Sequence, residues 1–204
     1  MAKRQSSSNT INSPPFPPLV WGGYFWSGDF CLPSLAGFQT RLGSYGAQTK
    51  KSPSSGTCKV SVASENEDSQ PTKQQQKAFQ FLIDHEATIV SKLLHSIFTF
   101  YPEERSKYGY TENELAKMMP AIDEPTQLHK LIGLSTVHLL SVEYGGVAYI
   151  GFEFGCTWDQ EHGLGLMTHK KRVIDIGGAD SSFLDWIAER DVKAQKKAAK
   201  RKKA

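Results

Sequence analysis

The chain has 204 residues, of which 39% are hydrophobic and 22% are charged, a composition that predicts one globular domain with polar appendages. It contains no run of about 18 apolar residues and no apolar segment behind its basic N-terminus, so we expect neither a transmembrane helix nor a signal peptide. The three cysteines, at positions 31, 58 and 156, form no CxxC pair, which argues against a disulfide framework or a zinc knuckle and favours the cytoplasm.

The positive charge is concentrated at the C-terminus. The formal net charge is +3, but residues 193–204 carry seven of the 24 lysines and arginines, and the remainder has 17 basic against 21 acidic residues. This basic tail has no aromatic side chain to stack on a base, so it predicts at most non-specific binding of nucleic acid or another polyanion. A frayed helix kept soluble by its charge is the simpler interpretation.

The N-terminal third alternates between polar segments and strands. Residues 1–18 predict a disordered lead-in and residues 48–70 a flexible loop, because both are polar and rich in Ser. The aromatic-rich segment between them, which Gly and Pro interrupt, predicts one or two strands, and the alternation of Val60 and Val62 predicts a further short one. We expect residues 1–18 and 193–204 to be dispensable for folding, because neither segment has enough apolar content to offset the entropy of ordering it.

The middle of the chain is predicted to be helical. Apolar residues at spacings of three, four and seven predict one long amphipathic helix from Thr72 to Tyr101 that ends at Pro102. Two shorter helices are predicted at 111–119 and 124–132, each preceded by capping-type residues.

From Leu134 onward the pattern is that of β-structure. The Gly145-Gly146 pair between two β-branched runs predicts a hairpin, and a second turn is expected within residues 159–163. A third turn is expected at 170–171, and a final helix follows the residues 180–182 that can cap it. The predicted fold class is α+β, an antiparallel sheet meander packed on one long amphipathic helix with short additional helices, within a domain of residues 19–192.

Side-chain parity divides the strand at 150–158 into two faces. One face is apolar and is expected to pack on the long helix, so that Cys156 becomes a core thiol and not a reactive one. Its members are Ile150, Phe152, Phe154, Cys156 and Trp158.

The opposite face carries a candidate row of ionisable side chains. A two-residue turn at 145–146 would place His138 opposite Glu153, and a five-residue loop at 159–163 would place Glu153 opposite His169. Two imidazoles and a carboxylate could hold a divalent transition metal or orient a histidine as a base. The alternative is a half-exposed polar ladder without a bound cofactor.

Other motifs of catalysis are incomplete. The HExxH pattern of zinc proteases begins at His85 but has Ile89 in place of its second histidine. Ser135 follows a glycine, as in a nucleophile elbow, but the second glycine is missing and a strand follows where a helix is required. Gly163 and Gly165 form only a GxG, for which turn geometry and close strand packing are the expected reasons.

Four segments resemble a known family. They are "LPSLAGFQTRLGSYG", "GLSTVHLL", "GFEFGCTWDQEHGLGLMTHK" and "IGGAD". Together they resemble an uncharacterised bacterial domain family of unknown function over Trp21 to Arg190. The resemblance implies one domain but no reaction, cofactor or substrate, and its architecture is similar to that of small cytoplasmic immunity and interaction proteins.

The sequence therefore favours a non-enzymatic protein-binding domain, with no cofactor and an oligomeric state that it leaves open. The expected contact surface is the sheet face together with a rigid exposed loop that bears Trp158, Asp159, Glu161 and His162. The first alternative is a metal-assisted or acid/base enzyme that uses the row of His138, Glu153 and His169. The second alternative is polyanion binding through the tail.

Overall fold

The computed structural model describes residues 9–41 and 48–202, which form a large sheet with helices on both of its faces. The strands are β1 (Thr10–Ile11), β2 (Leu19–Trp21), β3 (Phe25–Cys31), β4 (Gln39–Arg41), β5 (Gln48–Pro53), β6 (Thr57–Ala63), β7 (Ile132–Tyr144), β8 (Val147–Cys156), β9 (Leu164–His169) and β10 (Arg172–Gly177). The helices are α1 (Lys73–Asp84), α2 (Glu86–Lys107), α3 (Glu112–Met118) and α4 (Asp185–Arg201), with short 3-10 helices at Pro33–Leu35, Pro125–Lys130 and Ala179–Ser182.

The fold class is α+β, as the sequence predicts. Eight strands form one sheet in the order β1-β2-β3-β6-β7-β8-β9-β10, and β4 pairs with β5 in a separate two-stranded sheet. Neighbouring strands are antiparallel except for β6 and β7, which are parallel and are joined by a crossover through α1, α2 and α3. Among the described helices none is long and apolar enough to cross a membrane.

The main hydrophobic core lies between the sheet and the first two helices. Phe79 and Leu82 of α1 and Ile97 of α2 belong to the same buried cluster as Val60 and Phe152 of the sheet. Helix α1 begins at a capping box formed by Thr72 and Gln75, which satisfies backbone N–H groups that a helix start leaves unpaired.

The predicted long helix is in fact two helices. The backbone leaves the helical conformation at His85, whose ring stacks on Phe81 with centroids 4.2 Å apart. Helix α2 then continues through Pro102, where the sequence predicts an end, to Lys107. Buried Tyr101 holds this turn in place, because its hydroxyl donates to the Pro120 carbonyl at 2.9 Å.

Two segments predicted to be irregular are ordered parts of the fold. The predicted loop at 48–70 contains β5 and β6, and Cys58, Val60 and Val62 of β6 are buried in the core. Within the predicted lead-in, β1 pairs with β2, and the buried Phe16 stacks on a ring of α1 with centroids 4.6 Å apart. The described part of the lead-in therefore packs on the domain. Its one aromatic residue is buried in the core, although the residues around it are mostly polar.

The hairpin of β7 and β8 is interrupted between Leu139 and Glu143. At this place the buried Gln75 side chain donates to the carbonyls of Ala63 at 2.8 Å, Leu140 at 3.3 Å and Leu139 at 3.4 Å. Helix α1 thus supplies hydrogen bonds where the strand pairing is broken. The register beside the two-glycine turn consequently differs from the register of the remaining hairpin.

The second face of the sheet is covered by the segment 178–182 and by α4. This cover is possible because Gly151 and Gly165 present no side chain. A Cβ at Gly151 would lie 1.5 Å from the Ser182 carbonyl oxygen, and a Cβ at Gly165 would lie 2.4 Å from the Gly178 carbonyl oxygen. The backbone therefore rests directly on the strands.

We predict that Gly151→Ala destabilises the protein by about 3 kcal/mol or more, because the added methyl forces the segment 178–182 off the sheet and relaxation is limited to backbone movement. Urea unfolding followed by circular dichroism measures this change. Gly109→Ala is the matched control, since a Cβ there meets nothing within 4 Å. Equal stability of the two variants would contradict the packing described above.

Candidate functional site

His138 and Glu153 form a hydrogen-bonded pair on the face of the sheet turned away from α1. The Nε2 of His138 lies 2.8 Å from Oε2 of Glu153, and both side chains are largely buried. The Ser135 hydroxyl donates to Oε1 of the same carboxylate at 3.2 Å and to the Glu153 backbone carbonyl at 3.0 Å. The carboxylate therefore holds the imidazole ring in one orientation. Nδ1 is the ring nitrogen that takes no part in this contact.

The registers that suggested this pair are wrong, although the two side chains meet. His138 pairs with Gly151, and Glu153 lies opposite Thr136 and, on its other side, Gly165. The first shift is two residues and the second is four, so neither changes the face of a side chain. The first makes His138 and Glu153 diagonal neighbours, and the second separates His169 from Glu153. The interruption of β7 causes the first shift, and a longer β8–β9 connection causes the second.

His169 lies away from the pair, at the far end of β9. It is four residues beyond Gly165, which corresponds to about 13 Å along a strand. Its ring stacks on Tyr149 with centroids 4.6 Å apart, and its Nε2 donates to the carbonyls of Tyr144 at 3.0 Å and Val147 at 3.3 Å. His169 therefore closes the open end of the β7–β8 hairpin.

The row expected for a divalent transition metal is consequently not assembled. Its members His138 and Glu153 meet, but His169 uses its Nε2 in backbone hydrogen bonds elsewhere. Within residues 9–41 and 48–202, no group of three or more His, Cys, Asp or Glu is placed to hold a metal ion. What remains on this face is a histidine oriented by one carboxylate.

The loop between β8 and β9 is anchored more deeply than its sequence indicates. Trp158 is buried against Tyr101, with centroids 5.2 Å apart, so it is a core anchor and not part of an exposed tip. The Tyr110 hydroxyl donates to the Trp158 carbonyl at 2.7 Å, and the Tyr108 hydroxyl donates to Oδ2 of Asp159 at 3.0 Å. Burial and the hydrogen bond to this carboxylate raise the pKa of Tyr108.

Only the end of this loop is exposed. Asp159 accepts a hydrogen bond from the backbone N–H of His162 at 2.8 Å, which closes a tight turn. Glu161 and His162 project from this turn into solvent. The exposed part of the predicted tip is therefore small and polar, because its aromatic residue points inward.

Cys156 is a core thiol, as parity along β8 predicts. It is fully buried, and desolvation raises its pKa to about 12. Such a thiol is almost entirely protonated near neutral pH and is a poor nucleophile. Cys58 is buried as well, whereas Cys31 is exposed.

A groove of about 300 Å³ opens on the second face of the sheet beside His138. Its floor contains Ser61, which lies opposite His138 in the parallel register of β6 and β7. Phe183, which follows the segment packed on the glycines, forms one wall, and its ring lies 5.3 Å from the His138 ring between centroids. Tyr24, from the turn between β2 and β3, and Phe25, the first residue of β3, form the other.

The groove could not be found by sequence reasoning, because its walls come from opposite ends of the chain. Tyr24 is 85% exposed, Phe183 is 46% exposed and Phe25 is 42% exposed, which is unusual for aromatic residues. Their positions in the sequence are the one indication that these residues are exposed. Tyr24 and Phe25 follow the pair Gly22-Gly23, and Phe183 follows the predicted cap at 180–182. Tyr24 and Phe183 lie in connections and Phe25 is at the very start of β3, so none of them lies within the interior of a strand or helix.

These features define an α+β domain with a groove on the second face of its sheet and a hydrogen-bonded His–Glu pair beside that groove. Residues 47–184 match the family model described as "Domain of unknown function (DUF6985)", and the chain belongs to this family. Comparisons with curated proteins and with solved structures gave no significant match.

We predict that His169 makes the stability depend on pH below about 6.5. Burial, and to a smaller extent the nearby charges of Lys170 and Arg172, lower the pKa of His169 from its usual value of 6.5, although hydrogen bonds to two carbonyls oppose the shift. The folded state thus binds this proton more weakly than the unfolded state. The resulting stabilisation is complete above pH 6.5 and decreases by up to about 1.4 kcal/mol per pH unit as the pH falls.

Urea unfolding between pH 7.5 and 5 measures this dependence. His169→Gln should reduce the slope, because its amide keeps a donor but takes up no proton. His95→Gln, on the exposed surface of α2, is the control and should leave the slope unchanged. If His169→Gln and wild type lose stability in parallel, His169 does not carry the effect.

Proposed function

We propose that the protein is a cytoplasmic, non-enzymatic binding domain that holds a protein partner at the groove between Phe183 and Tyr24. The partner segment would carry a bulky apolar side chain next to a lysine or arginine. The single observation that carries the proposal is that three exposed aromatic side chains, Tyr24, Phe25 and Phe183, line this groove. The three unpaired cysteines support the location, because they are compatible with a reducing compartment.

Exposed aromatic residues around a concave surface favour protein recognition. Tyrosine, tryptophan and phenylalanine are enriched at protein interfaces, where they bury a large area at a low entropic cost. The groove is at the small end of the range of ligand pockets, which suits one or two side chains of a partner. Its apolar walls would supply most of the binding free energy.

An exposed tryptophan directly follows Asp185 of the groove in the sequence. Trp186, in the first turn of α4, is 53% exposed, and the Arg190 guanidinium lies 5.1 Å from its ring centroid. Arg190 is itself paired with Asp175 at 3.0 Å. This stacking restricts the indole before binding, so that less side-chain entropy is lost in a complex.

The charge at the groove favours a cationic neighbour on the partner. Asp185 lines the groove and forms no ion pair with any residue in the described part of the chain. Partial desolvation, and secondarily the nearby Glu189 carboxylate, raise the pKa of Asp185, so its ionised form would gain from compensation by a positive charge beside it. A lysine or arginine of the partner would supply that compensation.

We predict that a displayed peptide library selected on the protein becomes enriched in a bulky apolar residue next to Lys or Arg. Phe183→Ala and Asp185→Asn should each weaken binding of the selected peptides by about tenfold or more. Neither change should alter the unfolding midpoint much, because both side chains are exposed. Ile83→Ala is the control, since it removes an equally exposed apolar side chain from α1.

Isothermal titration calorimetry with the selected peptides measures these affinities. Unchanged binding by Phe183→Ala and Asp185→Asn would refute the groove as the contact surface. If Glu161→Ala or His162→Ala abolished binding instead, the contact would lie at the end of the β8–β9 loop.

A second candidate is an acid/base enzyme that uses the same groove. The observation in its favour is the His138–Glu153 pair, because a carboxylate that orients an imidazole is the arrangement by which a histidine acts as a base. Ser61 lies opposite His138 in the register, and its hydroxyl would be the group that His138 deprotonates. In this candidate His138 takes the proton of the hydroxyl, and Glu153 stabilises the imidazolium that results.

A fluorophosphonate probe separates the two candidates, because it labels serine hydroxyls that a base activates. If the protein only binds, mass spectrometry should find no more labelling of wild type than of Ser61→Ala. Labelling that requires both Ser61 and His138 would support the enzyme and contradict the binding domain.

A further inference from the structure

A second concave surface lies at the far end of the sheet, between α2 and α4. It has a volume of about 490 Å³ and is bordered by the β7–β8 turn and the β9–β10 turn. The side chains that face it are mostly cationic or neutral polar. They include Lys92, Lys170, Lys171, Arg172, His169 and Gln195.

The positive charge of this cleft is largely uncompensated. Lys92, Lys170 and Lys171 form no ion pair with any residue in the described ranges. The Nζ of Lys171 lies 5.9 Å from the centroid of the Phe81 ring. Among the described residues that line the cleft, none is acidic. Three lysines in one concave surface focus a positive potential there, although the chain without residues 193–204 has more acidic than basic residues.

Arg172 is held in a fixed orientation at the edge of the cleft. Its Nη1 and Nη2 donate to the two carboxylate oxygens of Asp191 at 2.9 and 2.6 Å, and the Tyr149 hydroxyl donates to the same carboxylate at 2.6 Å. Asp191 is buried, whereas the Arg172 side chain is 47% exposed. A guanidinium has five N–H donors, so this bidentate contact leaves three for a ligand.

His169 adds an acceptor to the cleft. It is only 8% exposed, and its Nε2 donates to two backbone carbonyls, so that Nδ1 is the unprotonated nitrogen of the neutral ring. No partner for Nδ1 exists among the described residues, and no fully buried side-chain nitrogen or oxygen there is without one. Because His169 lines the cleft, Nδ1 is the ring nitrogen that could accept a hydrogen bond from a hydroxyl of a ligand there.

The turn that supplies two of the lysines is conformationally unusual. Lys170 has a φ of +55°, in the left-handed region, and no other non-glycine residue in the described ranges has a positive φ. Gly or Asn would satisfy this position with less strain. Strained backbone of this kind is often found at functional sites.

We infer that this cleft binds a small phosphate-bearing anion that also carries a hydroxyl. The lysines and Arg172 would contact phosphate oxygens, and Nδ1 of His169 would accept the hydroxyl proton. The site is independent of the groove beside His138 and of the partner proposed for it. Phosphate esters of sugars and nucleosides have this combination of groups, whereas inorganic tripolyphosphate offers the charge alone.

Isothermal titration calorimetry at low salt with adenosine 5′-monophosphate and with tripolyphosphate tests the inference. Both should bind, more weakly as salt is added, and Lys92→Glu and Lys170→Glu should each reduce the affinity at least tenfold. Lys73→Glu on α1 and Lys197→Glu on α4 change the net charge equally outside the cleft, and they should alter the affinity less than twofold. In a histidine-selective NMR spectrum, adenosine 5′-monophosphate should shift the ring signals of His169 and leave those of His95 in place.

Absence of binding by either anion at low salt would overturn the inference. Equal losses of affinity in Lys92→Glu and Lys197→Glu would also overturn it, because they would show that binding depends on the net charge of the protein and not on the cleft. Binding of tripolyphosphate alone, without a shift of His169, would refute the role of the hydroxyl.

Discussion

The contact between bare backbone and the glycines of β8 and β9 is the constraint on which the second face of the sheet depends. Because Gly151 and Gly165 carry no side chain, the segment 178–182 lies directly on the strands. This contact fixes where the chain leaves the sheet, and hence where Phe183 stands and where α4 starts. Any larger residue at either glycine would lift the whole cover.

Both candidate sites lie at the margins of this cover. On one side Phe183 walls the groove above His138, and on the other side Asp191 of α4 orients Arg172 at the cationic cleft. The two sites have opposite character, since one is apolar with a carboxylate and the other is lined by lysines. We therefore expect the two sites to suit different molecules, and α4 contributes a residue to each of them.

The features that the sequence predicts correctly are local ones. The Gly145-Gly146 turn and the burial of Cys156 follow from turn chemistry and from parity along one strand, which need no knowledge of distant residues. The features it misses depend on distant contacts. Gln75 of α1 interrupts the register of β7, and the groove joins Tyr24 to Phe183 across most of the chain. Contacts between residues so far apart in the sequence cannot be predicted from the pattern within a short segment.

The parallel pairing of β6 with β7 constrains how the sheet can assemble. Strands β7 to β10 are connected by short turns, so they can associate soon after they are synthesised. Strand β6 has to wait for β7, because the crossover through α1, α2 and α3 separates them. On the ribosome the aromatic strands β2 and β3, together with β6, therefore present an unpaired edge while the helices emerge. During that interval the nascent chain is most exposed to aggregation and to capture by chaperones.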